Sequence, residues 1–478
     1  MNRPIVRLYG LVVLLFALLV GFTSRWTIFQ ASALRENKLN HRRLLEQERV
    51  DRGRIVAADG TVLAYSVRGP ESTYVRRYPP GGEFAHAIGY SYVDLGRTGL
   101  ERYRNAPLEG LASSGLQTIL DQLLGRSDRG DEVITTLDPR AQRTAIAALG
   151  AHQGAVVALD PRTGAVRVMA SSPSYDPEAA HSPASYAKLE HDPEDPLVNR
   201  ATEFGYAPGS TFKIVTATAA IDSGEFTSSS VLSGRNGIPI SGVPLNNDNG
   251  ENLGQITLTA ALAKSVNTVW AQVAERVGKS TLARYMRRFG FDAKPQLDLP
   301  AEEMSASGEY DRHGRLVSPT SPAVDVGRMG IGQDKLRVTP LQMAEVAAAV
   351  ANRGKLMVPH LTSRIVDPEG RTVDEIAPRV QSVVMKSSTA TAITGMMEAV
   401  VTEGTGTAAQ IPGVQVAGKT GTAETQIGNA INNVWFIAFA PAADPKVAIA
   451  VTLKGVPGEG ATFAAPVARQ VMEALLHD

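Results

Sequence analysis

Cysteine is absent from the 478 residues. That excludes disulfides, Cys-ligated zinc, iron–sulfur clusters and a thiol nucleophile. The eight histidines form no HExxH-like pair, so the sequence gives little support for a metal hydrolase, and neither a metal nor a cofactor is expected. Any covalent chemistry must rest on an oxygen or nitrogen nucleophile. Net charge is missing too, with 48 basic residues balanced by 48 acidic ones. Without a basic excess there is no electrostatic reason to expect nucleic acid as a partner. Internal repeats and low-complexity tracts are also lacking. The balance of 43% hydrophobic and 20% charged residues is that of an ordinary globular protein, and the length allows two or three domains with at least one large core.

One long apolar run is present, from Leu8 to about Thr23, preceded by Arg3 and Arg7 and closed by Arg25-Trp26. Roughly 16–20 residues span a bilayer when their flanks are interfacial. Basic residues on the short N-terminal side place that end in the cytoplasm and the bulk of the chain outside. Ala31-Ser32-Ala33 offers a cleavage site for the alternative, a secretory signal peptide. That site lies far beyond the apolar run, with a charge and several large residues between, which favours a retained single-pass anchor in the cell membrane.

From Glu36 to Arg49 the chain is strongly charged, with Leu39, Leu44 and Leu45 spaced as in an exposed, partly helical stalk. Arg52-Gly53-Arg54-Ile55 opens an alternating stretch in which Asp59-Gly60 reads as a hairpin turn before Val62 and Leu63. From there to about Gly130 the Gly, Pro and charge content suggests a small non-catalytic module. Near residue 133 the composition changes. Val133 to Leu137 predicts a strand, and Asp138-Pro139 predicts a helix start with Asp as cap and Pro in the first turn. Gly154–Leu159 and Ala165–Ala170, joined by Asp160 to Gly164, predict a hairpin. A second strand pair, Asn433–Phe439 and Lys446–Leu453, precedes a helix from about Pro466 to Leu476. Mainly helical segments, among them Leu341 to Asn352, lie between. Strands at both ends and helices in the middle predict an α+β fold with one antiparallel sheet packed against helices.

Three short motifs occur in order in this region: Ser210-Thr211-Phe212-Lys213, Ser265-Val266-Asn267 and Lys419-Thr420-Gly421. The first is weak alone, and the chain holds a second SxxK at Ser185-Tyr186-Ala187-Lys188. Context separates them. Pro208-Gly209 precedes Ser210 and the apolar run Ile214 to Ala220 follows Lys213, so Ser210 is expected to begin a helix. Ser185 lies among polar residues with Pro183 and Pro193, where no long helix is signalled. On a helix, residues three apart share a face, so Lys213 reaches toward the Ser210 hydroxyl. The helix N-terminus favours negative charge developing there. Burial and nearby positive charge would leave Lys213 a neutral amine able to take the proton. Ser265 and Asn267, two apart in a turn, suit proton relay to a leaving amine and retention of a peptide group. Lys419-Thr420-Gly421-Thr422 reads as an edge strand. Gly421 allows close backbone approach, Thr420 and Thr422 suit a terminal carboxylate, and Lys419 supplies charge. Singly, the last two motifs are equally compatible with an ordinary turn and surface strand.

The ordered trio resembles that of penicillin-binding proteins and class A β-lactamases, with SVN in place of SDN changing only the variable position. The likeness extends along nearly the whole chain. Arg52-Gly53-Arg54-Ile55 with Asp59-Gly60 and Leu63-Ala64 resembles the opening pedestal motif of the class B penicillin-binding proteins, in particular the actinobacterial penicillin-binding protein A type. Gly99-Leu100-Glu101 with Tyr103 and Leu108-Glu109-Gly110 resembles the second such motif. Thr135 to Asp138 with Gln142, Asn199-Arg200-Ala201, Pro208 to Lys213, Gly332-Gln333 with Thr339 to Ala344, and Gly418 to Glu424 follow in family order.

The resemblance implies an anchor over residues 1–28, an elongated pedestal of dimerisation type over 29–150 and a D,D-transpeptidase domain over 151–478. It implies that Ser210 attacks the D-Ala-D-Ala carbonyl of a peptidoglycan stem peptide, with Lys213, Ser265, Asn267 and Lys419 as catalytic partners. Backbone N–H groups of Ser210 and Thr422 would form an oxyanion hole. β-Lactam antibiotics would be ligands. Because nothing resembling a glycosyltransferase precedes the pedestal, a membrane-embedded glycan polymerase is the expected partner. The rival readings are a D,D-carboxypeptidase or β-lactamase-type serine hydrolase, and a non-catalytic wall-synthesis scaffold or β-lactam receptor. The pedestal and anchor disfavour a secreted hydrolase, a receptor would need several spans, and the intact trio disfavours an inert scaffold.

Overall fold

The computed structural model describes residues 3–24, 49–110, 129–424 and 431–477. Two compact units result, one of Met1–Asp51 with Val67–Val75 and one of Arg52–Ser66 with Arg76–Asp478. In the first, helix α1 (Arg3–Ser24) covers the predicted apolar run, and its described large apolar side chains are exposed, Phe16 at 66%. Among the described residues no helix is long and apolar enough to cross a membrane. The Ala31-Ser32-Ala33 site and the expected stalk, apart from Arg49, lie outside the described residues.

The second unit begins with β1 (Ile55–Val56) and all but the last two residues of β2 (Val62–Arg68), antiparallel across the predicted Asp59-Gly60 turn, where Gly60 takes φ +87°. Helix α2 (Gly99–Tyr103) and strand β3 (Glu132–Thr135) follow. Helix α3 (Pro139–Leu149) starts as its sequence dictates: the Asp138 carboxylate accepts the Ala141 N–H and Pro139 fills the first turn. β4 (Gly154–Leu159) and β5 (Val166–Ser172) form the predicted hairpin.

The polar stretch around Ser185, where no long helix is signalled, folds into a short one, α4 (Pro183–Glu190), because Pro183 occupies its first turn and Ser182 caps it by accepting the Ser185 N–H. None of its residues is fully buried, and only Tyr186 and Leu189, both partly buried, pack against the core.

The elements that frame the site and the core follow in order: α5 (Lys213–Asp222), α6 (Leu258–Ala263), α7 (Asn267–Val277), α8 (Pro340–Ala351), β6 (Thr362–Val366), β7 (Thr372–Glu375), α9 (Ser387–Thr402), β8 (Ala417–Glu424), β9 (Asn432–Ala440), β10 (Val447–Val456) and α10 (Ala464–Leu476). A five-stranded antiparallel sheet runs β8-β9-β10-β4-β5, so strands from both ends of the region close it. Strand periodicity sorts its side chains into two cores. Val434, Phe436 and Ala438 pack with α3 and α10, whereas Trp435, Ile437 and Phe439 pack on the opposite side with α8 and its neighbours. Every residue of α8 is buried, which explains why its sequence, Gln342 and Glu345 apart, is apolar on all faces. In a second sheet the neighbours run β7-β6-β3-β1-β2, with β1 and β3 parallel. Residues 362–375 therefore belong to the same sheet as 55–56 and 132–135.

Candidate active site

Ser210 sits in a 3₁₀ turn, Gly209–Phe212, that leads directly into α5. The α-helix itself begins at Lys213, three residues later than the sequence suggests, because the chain enters the turn through Gly209 at φ +51°. Two neighbours fix that entry. The Gly209 N–H donates to the Gly332 carbonyl at 3.0 Å, and the Trp435 indole donates to the Ala207 carbonyl at 2.9 Å. A Cβ on Gly332 would stand 1.9 Å from the Gly209 carbonyl oxygen, so a side chain there is excluded.

The second motif lies where α6 gives way to α7. Ser265 takes a left-handed φ of +59°, which turns the chain so that its carbonyl, its hydroxyl and the Asn267 amide all face Lys213. Lys213 Nζ donates to Ser265 O at 2.6 Å and to Asn267 Oδ1 at 2.7 Å, with Ser265 Oγ at 3.3 Å. Spacing alone aimed Lys213 at the Ser210 hydroxyl. Instead these hydrogen bonds of the amine run to the Ser265–Asn267 turn, while Ser210 lies one turn back across the 3₁₀–α junction.

The third motif occupies β8, an edge strand as predicted. Lys419 Nζ donates to Ser265 Oγ at 2.9 Å and to Thr420 O at 3.0 Å. Ser265 Oγ thus stands between the two lysines, both 0% exposed. A Cβ on Gly421 would come within 2.8 Å of Pro208 O and 2.9 Å of Thr211 Cγ2, so only glycine lets β8 lie against the turn that carries Ser210. Thr422 Oγ1 accepts the Gly460 N–H at 3.4 Å.

These elements enclose a cleft of about 190 Å³. Ser210, Ser265, Asn267, Thr420, Gly421 and Thr422 line it, while the two lysines lie beneath its floor. Burial, then the charge of Lys419, pushes the Lys213 ammonium well below its ordinary range, with Asp248 opposing weakly. Burial brings Lys419 down to about 7. Asp248, Lys264, Thr405 and Glu459 also line the cleft, and sequence reasoning did not single them out. Thr405 left a faint signal, its place between Gly404 and Gly406; the others lie in loops with no motif of their own. Among the described residues no group of three or more His, Asp or Glu is placed to hold a metal ion.

This geometry can be set beside known proteins. Residues 154–473 match the penicillin-binding protein transpeptidase domain, and residues 52–133 match the penicillin-binding protein A dimerisation domain. Over 100% of both chains, the sequence is 36% identical to the peptidoglycan D,D-transpeptidase PbpA of Mycolicibacterium smegmatis. Its identity to PbpA of Mycobacterium tuberculosis is 34%, over 100% of this chain and 99% of that one. The fold superimposes on the ceftriaxone acyl-enzyme complex of penicillin-binding protein A from M. tuberculosis with a TM-score of 0.81 and 33% identity. That match covers 90% of this chain and 100% of the other. With a domain match that spans all three motifs and full-length relatives of the same architecture, the chain belongs to the penicillin-binding protein transpeptidase family.

Proposed function

We propose that this chain is a peptidoglycan D,D-transpeptidase and β-lactam target in which Ser210 is the nucleophile. The observation that carries the reading is the position of Lys213, buried and hydrogen-bonded to two carbonyl-type oxygens. A neutral amine has two N–H groups, which Ser265 O and Asn267 Oδ1 satisfy, and one lone pair left to accept a proton. Burial and the neighbouring Lys419 charge both favour that neutral form.

In the proposed first half-reaction the Ser210 oxygen bonds to the carbonyl carbon of the penultimate D-Ala of a stem peptide, and its proton passes to the Lys213 amine. N–H groups of Ser210 and Thr422 hold the oxyanion. The C–N bond then breaks, and the departing D-Ala nitrogen takes a proton through the Ser265 hydroxyl. In the second half-reaction an acceptor amine attacks the ester, loses its proton to the same relay and frees Ser210. Asn267 holds the donor peptide group, and Thr420 and Thr422 bind its terminal carboxylate beside Lys419. A β-lactam ring opens by the same attack, but its amine stays tethered and the acyl-enzyme persists.

The same reading makes residues 1–28 a single-pass membrane anchor with its N-terminus in the cytoplasm, 29–150 a pedestal and 151–478 the catalytic domain outside the membrane. It also calls for a membrane-embedded glycan polymerase as partner. The exposed apolar side chains of α1 and the basic Arg3 and Arg7 support the anchor.

Incubation with a fluorescent penicillin followed by intact-mass measurement tests the nucleophile. The expected result is one adduct on the native chain and none on Ser210→Ala. An adduct that survives Ser210→Ala and disappears in Ser185→Ala would move the nucleophile to the other SxxK.

A further inference from the structure

Thr405 lies in the loop after α9, lines the cleft and meets Thr420 of the third motif. Its hydroxyl oxygen is 2.6 Å from that of Thr420, and its N–H donates to the Ala263 carbonyl at 3.1 Å, two residues before Ser265. The flanking glycines make this seat possible. A Cβ on Gly404 would stand 2.3 Å from Ala263 O, and one on Gly406 would stand 3.1 Å from Val400 O. Thr405 is thereby suspended between the Ser265–Asn267 turn and β8 by backbone that excludes a side chain at position 404 and crowds one at 406.

We propose that Thr405 is a positioning residue for carboxylate recognition, holding the Thr420 hydroxyl so that its hydrogen points into the cleft. This rests on the reading above in which Thr420 binds the ligand's carboxylate. A hydroxyl has one hydrogen to give, and an ionised carboxylate only accepts. Two hydroxyls 2.6 Å apart share one hydrogen between them. If Thr420 gave its own to Thr405, it would have none for the ligand. With Thr405 as donor and Thr420 as acceptor, the Thr420 hydrogen is free for the carboxylate. Lys419 Nζ, 3.4 Å from Thr420 Oγ1, reinforces that sense by presenting a second donor to the same oxygen. The polarised chain Thr405–Thr420–carboxylate then selects ligands that carry a negative charge at that end.

The test compares acylation rate constants for penicillin G and its methyl ester, which lacks the carboxylate, on native chain, Thr405→Val, Thr405→Ser and Thr420→Val. The native chain is expected to prefer the acid. Thr405→Val should lower the rate with the acid about tenfold, the upper worth of the hydroxyl–hydroxyl hydrogen bond that orients Thr420, and leave the rate with the ester in place. Thr405→Ser should restore the preference. A general packing defect would lower both rates together, so a parallel loss overturns the proposal. A native preference that Thr420→Val abolishes and Thr405→Val preserves overturns it as well, with the Thr420 reading intact. A native chain that acylates acid and ester equally sinks the Thr420 reading and the Thr405 proposal together.

Discussion

At the scale of single residues, the cleft depends on atoms that are missing. Gly332 holds φ +78° with no room for a Cβ, which would meet Gly209 O at 1.9 Å. Because the Gly209 N–H is bonded to the Gly332 carbonyl, displacing either residue displaces Ser210. Gly314 makes a matched control. It has a similar φ of +73° but nothing within 4 Å of the missing Cβ. Gly332→Ala is expected to slow acylation by a fluorescent penicillin on the order of 100-fold, the usual consequence of moving a nucleophile by about 1 Å. Gly314→Ala should affect only stability, by about 1 kcal/mol. Equal acylation rates in native chain and Gly332→Ala would show that the turn is held by something other than this contact.

At the scale of an element, α8 presents a carboxylate to a core made for apolar groups. Glu345 is 3% exposed, its Oε1 has no hydrogen-bond partner, and burial pushes the carboxyl up to about 8 from an ordinary 4.5. The sign follows from proton counting. Between about 4.5 and 8 the unfolded chain has released this proton and the folded chain still holds it, so unfolding is favoured as pH rises. The stabilising effect is complete below the lower value and lost above the upper one. Glu345→Gln removes the titration. Melting temperatures at pH 5 and pH 8 should therefore differ less in the variant than in the native chain. Glu309, raised to about 8, and Glu303, raised to about 7, act with the same sign, so some slope is retained. Identical pH dependence in both chains would place water or a counter-charge beside Glu345.

At the scale of the whole second unit, an ion cluster joins segments that lie far apart in sequence. Glu101 is 0% exposed and accepts from Arg52 Nε and Arg76 Nε, each at 2.6 Å. Arg52 also donates to Asn105 Oδ1 at 2.7 Å, and Arg97 pairs with Glu109 at 2.9 Å. Burial drives the Glu101 carboxyl upward, yet Arg76 and Arg52 outweigh it and hold the group below its usual range. Breaking such a pair leaves buried guanidinium charge behind, so Glu101→Gln is expected to cost about 3–5 kcal/mol in urea unfolding. A cost below about 1 kcal/mol would mark the cluster as no stronger than surface pairs.

Local chemistry in the sequence was enough to determine the Asp138 cap, the Asp160–Gly164 hairpin and the strand pairs at both ends. Each depends on residues close along the chain, whose backbone preferences act without distant partners. The three motifs were likewise legible as sets of residue types. The meeting of Lys213 with Ser265 O and Asn267 Oδ1 was not, because it needs the left-handed turn at Ser265 and a fold that closes a sequence separation of 54. The short helix that starts at Ser182–Pro183 carries no long apolar run to announce it, although proline suits a first turn. Strands 362–375 joining β3, and Thr405 meeting Thr420, rest on pairing and close packing between distant segments. Sequence fixes which groups can do chemistry through local propensity. Which of them share one cleft depends on long-range burial, and that only the tertiary structure decided.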